Sequence, residues 1–457
     1  MQERFVIIGG DAAGMSAASK ARRENPGLEI IVLEKGNWAS YGACGLPYYI
    51  KGDIKNIQDL VAISPEIFRE KRGIDLRLNQ EAIRILPEDK ELVVHTRAGD
   101  YNLGYDKLLI STGARAIKPK IPGIDANGIF ALRDMDSGKN IKEYLQKNSP
   151  ASVLIVGGGY IGIEMAEAFH ANGLKVYIVE LLPHILNSFG TEIAAVVENH
   201  LKDYAQLRLG KYVNTITETD TGKLSVQIKD KKSANHEEHI LTDMVLLATG
   251  IKPEVSIAEE AEIVLGETGA IAVDEYGQTN IPDIYAAGDC AEVKHTVTGQ
   301  SVYIPLALTA NRNGRAIGST IGGSATCLAS IAGTAVVKAF QLEVATTGII
   351  DIDLAKKNGF NPVKVTIDSH SRAGYCPRSK PIKISLMADR KSKKLLGASM
   401  VGEEGVVKRI DIIAAALSGK FTVGQLENLD LAYAPPFSPV WDPVLTAARV
   451  LKSKLNR

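Results

Sequence analysis

Val153-Leu154-Ile155-Val156-Gly157-Gly158-Gly159-Tyr160-Ile161-Gly162-Ile163-Glu164 is the stretch that decides the fold. Four consecutive apolar residues suit a buried strand, and Ile163 to Ala171 then reads as a helix closed by Gly173. The turn between them is Gly157-x-Gly159-x-x-Gly162. Gly159 leaves no side chain, so a pyrophosphate can approach the backbone. Gly162 lets helix and strand pack closely, and the helix N-terminus offers free N–H groups and partial positive charge. Val176 to Val179 forms the next strand and runs into Glu180, placed to accept bonds from ribose hydroxyls. A 2′-phosphate would face that carboxylate, and Leu181 and Leu182 supply no cation. The spacing predicts NADH here in preference to NADPH, with Tyr160 and Glu164 beside the nicotinamide.

The same pattern stands at the N-terminus. Phe5-Val6-Ile7-Ile8 is a strand, Gly9-Gly10-Asp11-Ala12-Ala13-Gly14 a turn, Met15 to Arg23 a helix, and Leu28 to Leu33 a strand ending at Glu34. Asp11 replaces the middle glycine, and its side chain would crowd a diphosphate unless it points away. Each unit is followed by a strand and a Thr-Gly turn, Ser111-Thr112-Gly113 and Ala248-Thr249-Gly250. This is a duplication of fold, not a short repeat.

Two dinucleotide units imply two dinucleotides. Two nicotinamides would have nothing to exchange, so one ligand should be a flavin. Ile284-Tyr285-Ala286-Ala287-Gly288-Asp289 ends a short strand in a carboxylate suited to a ribityl hydroxyl, which assigns the flavin to the first unit. Lys35, Ser40, Ala82, Thr112, Gly113, Arg133, Gly157, Ile161 and Gly250 complete the expected cofactor-binding set.

Composition limits the alternatives. The 457 residues suggest several domains. With 45% hydrophobic and 23% charged residues, the chain has the mix of a globular protein with a sizeable core. Lys plus Arg and Asp plus Glu are both 53, which argues against a dedicated nucleic-acid binder. No apolar run reaches the roughly 18 to 20 residues that span a bilayer, and no cleavable signal is evident, so a cytoplasmic location is expected. Cys44, Cys290, Cys327 and Cys376 form no C-x-x-C pair, so neither a disulfide scaffold nor a structural zinc site is expected.

Cys44 lies in Ser40-Tyr41-Gly42-Ala43-Cys44-Gly45-Leu46-Pro47-Tyr48-Tyr49, shortly after the first unit and at the start of an expected helix. A thiol at a helix N-terminus should have a lowered pKa. With no second cysteine nearby, Cys44 must work alone, by mixed disulfide, persulfide or sulfenic acid.

Over essentially its full length the chain resembles the single-cysteine branch of the flavoprotein disulfide reductases. That branch holds CoA-disulfide reductases, CoA-persulfide or polysulfide reductases and NADH oxidases. The resemblance rests on Ser40-x-x-x-Cys44-Gly-Leu-Pro-Tyr, Gly288-Asp289-Cys290-Ala291-Glu292 and Tyr433-Ala434-Pro435-Pro436-Phe437-Ser438. It implies FAD, a homodimer, redox-active Cys44, and Tyr433 with Tyr375 as donors to a leaving thiolate. Tyr433 would reach the partner's active site. It also implies CoA as ligand or substrate, held by Lys20, Arg23, Lys71, Arg72 and Asn311. Two positions depart from the family: Trp441 stands where a lysine is common, and Cys376 where a second tyrosine is common. The His-x-x-Pro-Thr acid–base motif of the dithiol reductases is missing.

The expected architecture is α/β, with two Rossmann-like domains and an α+β C-terminal dimerisation domain. Residues 1–118 and 273–330 would form the FAD domain, 119–150 a connection, 151–272 the NAD domain and 331–457 the dimerisation domain. The expected activity is NAD(P)H-dependent reduction of CoA disulfide, persulfide or polysulfide. An NADH oxidase working through a cysteine sulfenic acid is the alternative, and a non-catalytic redox sensor is a more distant third.

Overall fold

The computed structural model describes residues 2–232 and 237–457. Each glycine-rich unit builds a five-stranded parallel sheet, and the two sheets have matching strand order. In the first, Arg4–Ile8 pairs on one side with Glu29–Glu34 and on the other with Lys107–Ile110. In the second, Ser152–Val156 lies between Lys175–Glu180 and Met244–Leu247. After their first residues, Arg4 and Ser152, the central strands are apolar because both faces are covered, as parallel sheets require.

The edge strands differ in origin. The first sheet is completed by Ile284–Ala286, which returns from beyond the second unit to pair with Lys107–Ile110. The second is completed by Ile129–Ala131, which precedes that unit and pairs with Met244–Leu247. The first unit is therefore closed by a strand from beyond the second, and the second by a strand from the segment between the two. Each also carries a three-stranded antiparallel sheet.

The Thr-Gly turns clasp one another where the units meet. Ala114–Ala116 pairs antiparallel with Ile251–Pro253. Thr112 Oγ1 donates to the Glu254 carbonyl and Thr249 Oγ1 to the Ile117 carbonyl, both at 2.6 Å.

Both helices after the glycine loops start earlier than the hydrophobic pattern suggests, at Ala12 and Tyr160. The second half of each loop is already helical, which directs its amides outward. Helix Ala307–Ile321 packs closely on Ala12–Glu24. A Cβ on Gly314 would come within 2.1 Å of the Ala13 carbonyl oxygen, so only glycine fits there. The C-terminal part is a five-stranded antiparallel sheet with helices Val406–Ser418 and Pro443–Leu455 over one face. Among the described residues no helix is long and apolar enough to cross a membrane.

Candidate active site

The two loops are held alike. Gly9 and Gly157 take left-handed φ values of 105° and 109°, and a Cβ at either would strike a carbonyl oxygen of the neighbouring strand end. Glu34 accepts the Gly10 and Gly36 amides at 2.8 and 2.7 Å. Glu180 accepts the Gly158 and Leu182 amides at 2.7 and 2.8 Å. Nothing lies within 4 Å of a Cβ built on Gly159, so that face of the loop is open.

Asp11 resolves its conflict with a diphosphate by turning away. Its Oδ1 accepts the Tyr41 amide at 3.0 Å, tying the first loop to the cysteine segment. Burial, reinforced by Glu34, raises its pKa to about 6.

Cys44 sits in a short 3₁₀ turn, Ala43–Gly45, leading into helix Leu46–Lys51, and is exposed. The expected lowering of its pKa does not hold for the chain alone. Desolvation by the surrounding protein, then the carboxylates of Glu164 and Asp289, push the thiol up. The helix is only six residues long, and its weak dipole is outweighed. The same shift reveals proximity: Glu164 from the second unit and Asp289 from the returning strand both act on Cys44. Burial raises Glu164 to about 7, opposed by a hydrogen bond with Tyr48. Burial also raises Asp289, and Arg133 opposes this from 3.3 Å. Arg133 is fixed in turn by the Ala114 carbonyl at 2.7 Å.

Thr112 and Gly113, with Thr249 and Gly250, lie at the clasp between the units. Ala82 is the second residue of the strand Glu81–Leu86, just after Gln80, whose amide bonds to the Glu34 carbonyl. Ser40 takes a left-handed φ of 53° and its amide bonds to the Gly10 carbonyl, while Lys35 directly follows Glu34. Tyr160 packs against Phe189 at 5.3 Å, within the second unit. Ile161 lies in the first turn of the helix that Tyr160 begins.

The proposed CoA residues gather around two helices. Ser16 Oγ donates to Asn311 Oδ1 at 2.7 Å. Arg72 donates to Ser19 Oγ at 2.9 Å and lies over the Phe68 ring. Lys20 is paired with Glu24, whereas Arg23 and Lys71 are exposed. Tyr375 and Tyr433 stand on exposed C-terminal loops with their hydroxyls 3.3 Å apart. Phe437, Val440 and Trp441 beside them are also exposed. Cys290 is buried, its thiol directed at the Ile110 and Ala287 carbonyls, in a packing role. Cys327 is exposed and Cys376 half-buried.

Sequence reading missed Tyr303. Its hydroxyl is buried without a hydrogen-bond partner among the described residues, and Asp289 adds to the burial that raises its pKa. No side-chain hydrogen bond caps the helices that follow the two glycine loops. An orphaned hydroxyl beside Asp289, two uncapped helix N-termini and the open face at Gly159 fit a flavin in the first unit and a nicotinamide nucleotide in the second.

Two dinucleotide domains clasped around one cysteine, with an antiparallel domain appended, define a nicotinamide-dependent flavoprotein oxidoreductase. Residues 3–314 match the family described as pyridine nucleotide-disulphide oxidoreductase, and residues 334–443 match its dimerisation domain. The chain belongs to that family and is an oxidoreductase of it; membership implies FAD, NAD(P)H and a homodimer. It is 39% identical over 455 residues to a Pyrococcus abyssi protein named NAD(P)H sulfur oxidoreductase (CoA-dependent), covering 99% of each chain. It is 33% identical to a Methanocaldococcus jannaschii NADH oxidase, again over 99% of both. Among solved structures, an NAD-dependent persulfide reductase from A. fulgidus superposes with a TM-score of 0.94 at 36% identity, covering 99% of this chain and 83% of the other.

Proposed function

We propose that the protein reduces CoA disulfide, CoA persulfide or polysulfide with NADH, through Cys44 acting alone. The observation that carries this reading is one exposed thiol set among groups from both dinucleotide units, with no second cysteine near it in sequence. The relative named CoA-dependent sulfur oxidoreductase supports the choice of acceptor.

The first loop, Glu34, Arg133, Asp289 and Tyr303 would hold FAD. The second loop, Tyr160, Glu164 and Glu180 would hold NADH, with Glu180 disfavouring a 2′-phosphate. Bound flavin supplies the passage of an electron pair from the nicotinamide to sulfur. The Cys44 thiolate attacks one sulfur of the acceptor. The S–S bond breaks as a mixed disulfide or persulfide forms on Cys44, and the departing thiolate takes a proton from Tyr433, assisted by Tyr375. That electron pair then cleaves the bond on Cys44, frees the second thiol or sulfide, and regenerates the thiolate. Arg23, Lys71 and Arg72, with Lys20 and Asn311, offer a basic apron for the phosphates of CoA.

The test is NADH consumption without oxygen. Loss of NADH only on addition of CoA disulfide or polysulfide supports the reading. Rapid loss with oxygen alone, and none with the sulfur acceptors, would establish instead the oxidase activity carried by a relative's name.

A further inference from the structure

Arg409 is the largest fully buried side chain described, and a buried guanidinium is costly unless its donors are met. Its Nε donates to both Asp442 oxygens at 3.1 and 3.0 Å. One terminal nitrogen lies 2.9 Å from Asp442 Oδ2 and donates to the Ser371 carbonyl at 3.2 Å. The other donates to the Gly405 carbonyl at 2.9 Å. Asp442 is equally engaged. It accepts from Ser438 Oγ and from the Val444 amide, both at 2.9 Å.

Stability alone does not account for such a pair, because apolar residues of similar volume often serve as well. What the pair grips is informative. Ser371 opens the loop that carries Tyr375, and Ser438 and Asp442 close the loop that carries Tyr433. Further bonds join these loops. The Ala373 amide donates to the Pro435 carbonyl at 3.2 Å, and Lys408 Nζ to the Phe437 carbonyl at 2.9 Å. Arg372 forks onto Glu404 at 2.7 and 2.6 Å, where Ser371 Oγ also donates. The two phenols, 58 positions apart in sequence, meet on the surface, and neither lies in a helix or strand.

We propose that the buried Arg409–Asp442 pair is a positioning device, which locks the two tyrosine loops together and sets the Tyr375–Tyr433 phenol pair for the neighbouring subunit's Cys44 cleft. The proposal rests on the disulfide-reductase reading above, since it is that chemistry which needs the phenols placed. Arg409 itself touches no reacting atom.

The test uses the full-length, flavin-loaded dimer with 3-fluorotyrosine incorporated. Replacing both charges, as Arg409→Met with Asp442→Asn, leaves neither one buried and unpaired. Arg409→Lys keeps the charge but loses the planar fork. In both variants the fluorine resonances of Tyr375 and Tyr433 are expected to shift or broaden. The Tyr433 phenol should then titrate closer to its ordinary range, because the hydrogen bond it shares with Tyr375, which holds its proton, is lost. Turnover with CoA disulfide should fall by about ten- to a hundredfold, the usual cost of misplacing a group by about an ångström. Bleaching of the flavin by NADH should be unchanged.

Unchanged resonances in a folded dimer would overturn the positioning role whatever the turnover, and leave the reductase reading intact. Shifted resonances with undiminished turnover would show that the phenols do not serve the reaction, and would overturn both the proposal and that part of the reading. If the double variant fails to fold, Ser438→Ala, which removes one bond to Asp442 and keeps both charges paired, should give the same pattern in weaker form. Native resonances in that variant would count against the proposal.

Discussion

Glu34 and Glu180 make the same bond in the two dinucleotide units: each carboxylate accepts the amide of the second glycine of its own loop, at 2.8 and 2.7 Å. The residue proposed to read a ribose thus also braces the loop proposed to cradle the phosphates. Replacing Glu180 should therefore change both nucleotide choice and affinity. For Glu180→Gln we expect kcat/KM for NADH to fall by about tenfold, near the value of one charge-assisted hydrogen bond. NADPH should lose less, so the preference between them narrows. Steady-state rates with both nucleotides check this, and an unchanged ratio would remove Glu180 as the discriminating group.

Cys44→Ser should keep bound flavin and its reduction by NADH, yet lose turnover with disulfide acceptors. Anaerobic stopped-flow spectra separate the two half-reactions. Normal disulfide reduction by this variant would refute the assignment of the cysteine.

Burial, and after it the carboxylates of Glu164 and Asp289, hold the Cys44 thiol protonated to higher pH than usual. In the flavin-free protein, alkylation of Cys44 by iodoacetamide should accordingly show a midpoint above the ordinary thiol value of about 8.5. Glu164→Gln removes a negative charge that opposes thiolate formation, so the midpoint should move down. Mass spectrometry of the alkylated peptide across pH follows it. A midpoint that stays put would mean that Glu164 does not act on the thiol.

Asp11 is held at about 6 in the folded chain against 3.8 ordinarily, so the folded state binds its proton more tightly than the unfolded state. Stability should therefore fall as pH rises from about 4 to about 6, and stay reduced above that. Asp11→Asn keeps the acceptor for the Tyr41 amide and removes the charge. It should stabilise the flavin-free protein near pH 7 by roughly 1–3 kcal/mol and flatten the slope between pH 4 and 6. Denaturant melts at several pH values test this, and an Asn variant less stable at neutral pH would contradict it.

Tyr303→Phe should have opposite effects on the two forms of the protein. The flavin-free chain loses an unsatisfied buried hydroxyl and should gain stability on the order of 1 kcal/mol. The flavin-bound protein loses a contact, so FAD should bind more weakly. Melting of the flavin-free form and fluorescence titration with FAD report the two effects separately.

Much of this was legible in the sequence because it is local. The strand–turn–helix units at Gly9 and Gly157, the carboxylates Glu34 and Glu180, and the isolation of Cys44 each follow from residues near in sequence. What escaped depends on distant encounters. The Cys44 shift is upward because the folded protein buries the thiol and brings Glu164 and Asp289 to it from far along the chain. Tyr303 belongs to no motif, and only its burial beside Asp289 marks it. The three-residue strand Ile129–Ala131 is too short to show a period, so its place at the edge of the second sheet was invisible.

The returning strand Ile284–Ala286 also imposes an order on synthesis. While the chain is still emerging from the ribosome, Lys107–Ile110 presents a bare hydrogen-bonding edge until its partner has been made. By then the whole second unit has already been translated. The N-terminal fold is thus the first begun and the second finished, and during that interval a chaperone, or another nascent copy, has an open strand to bind.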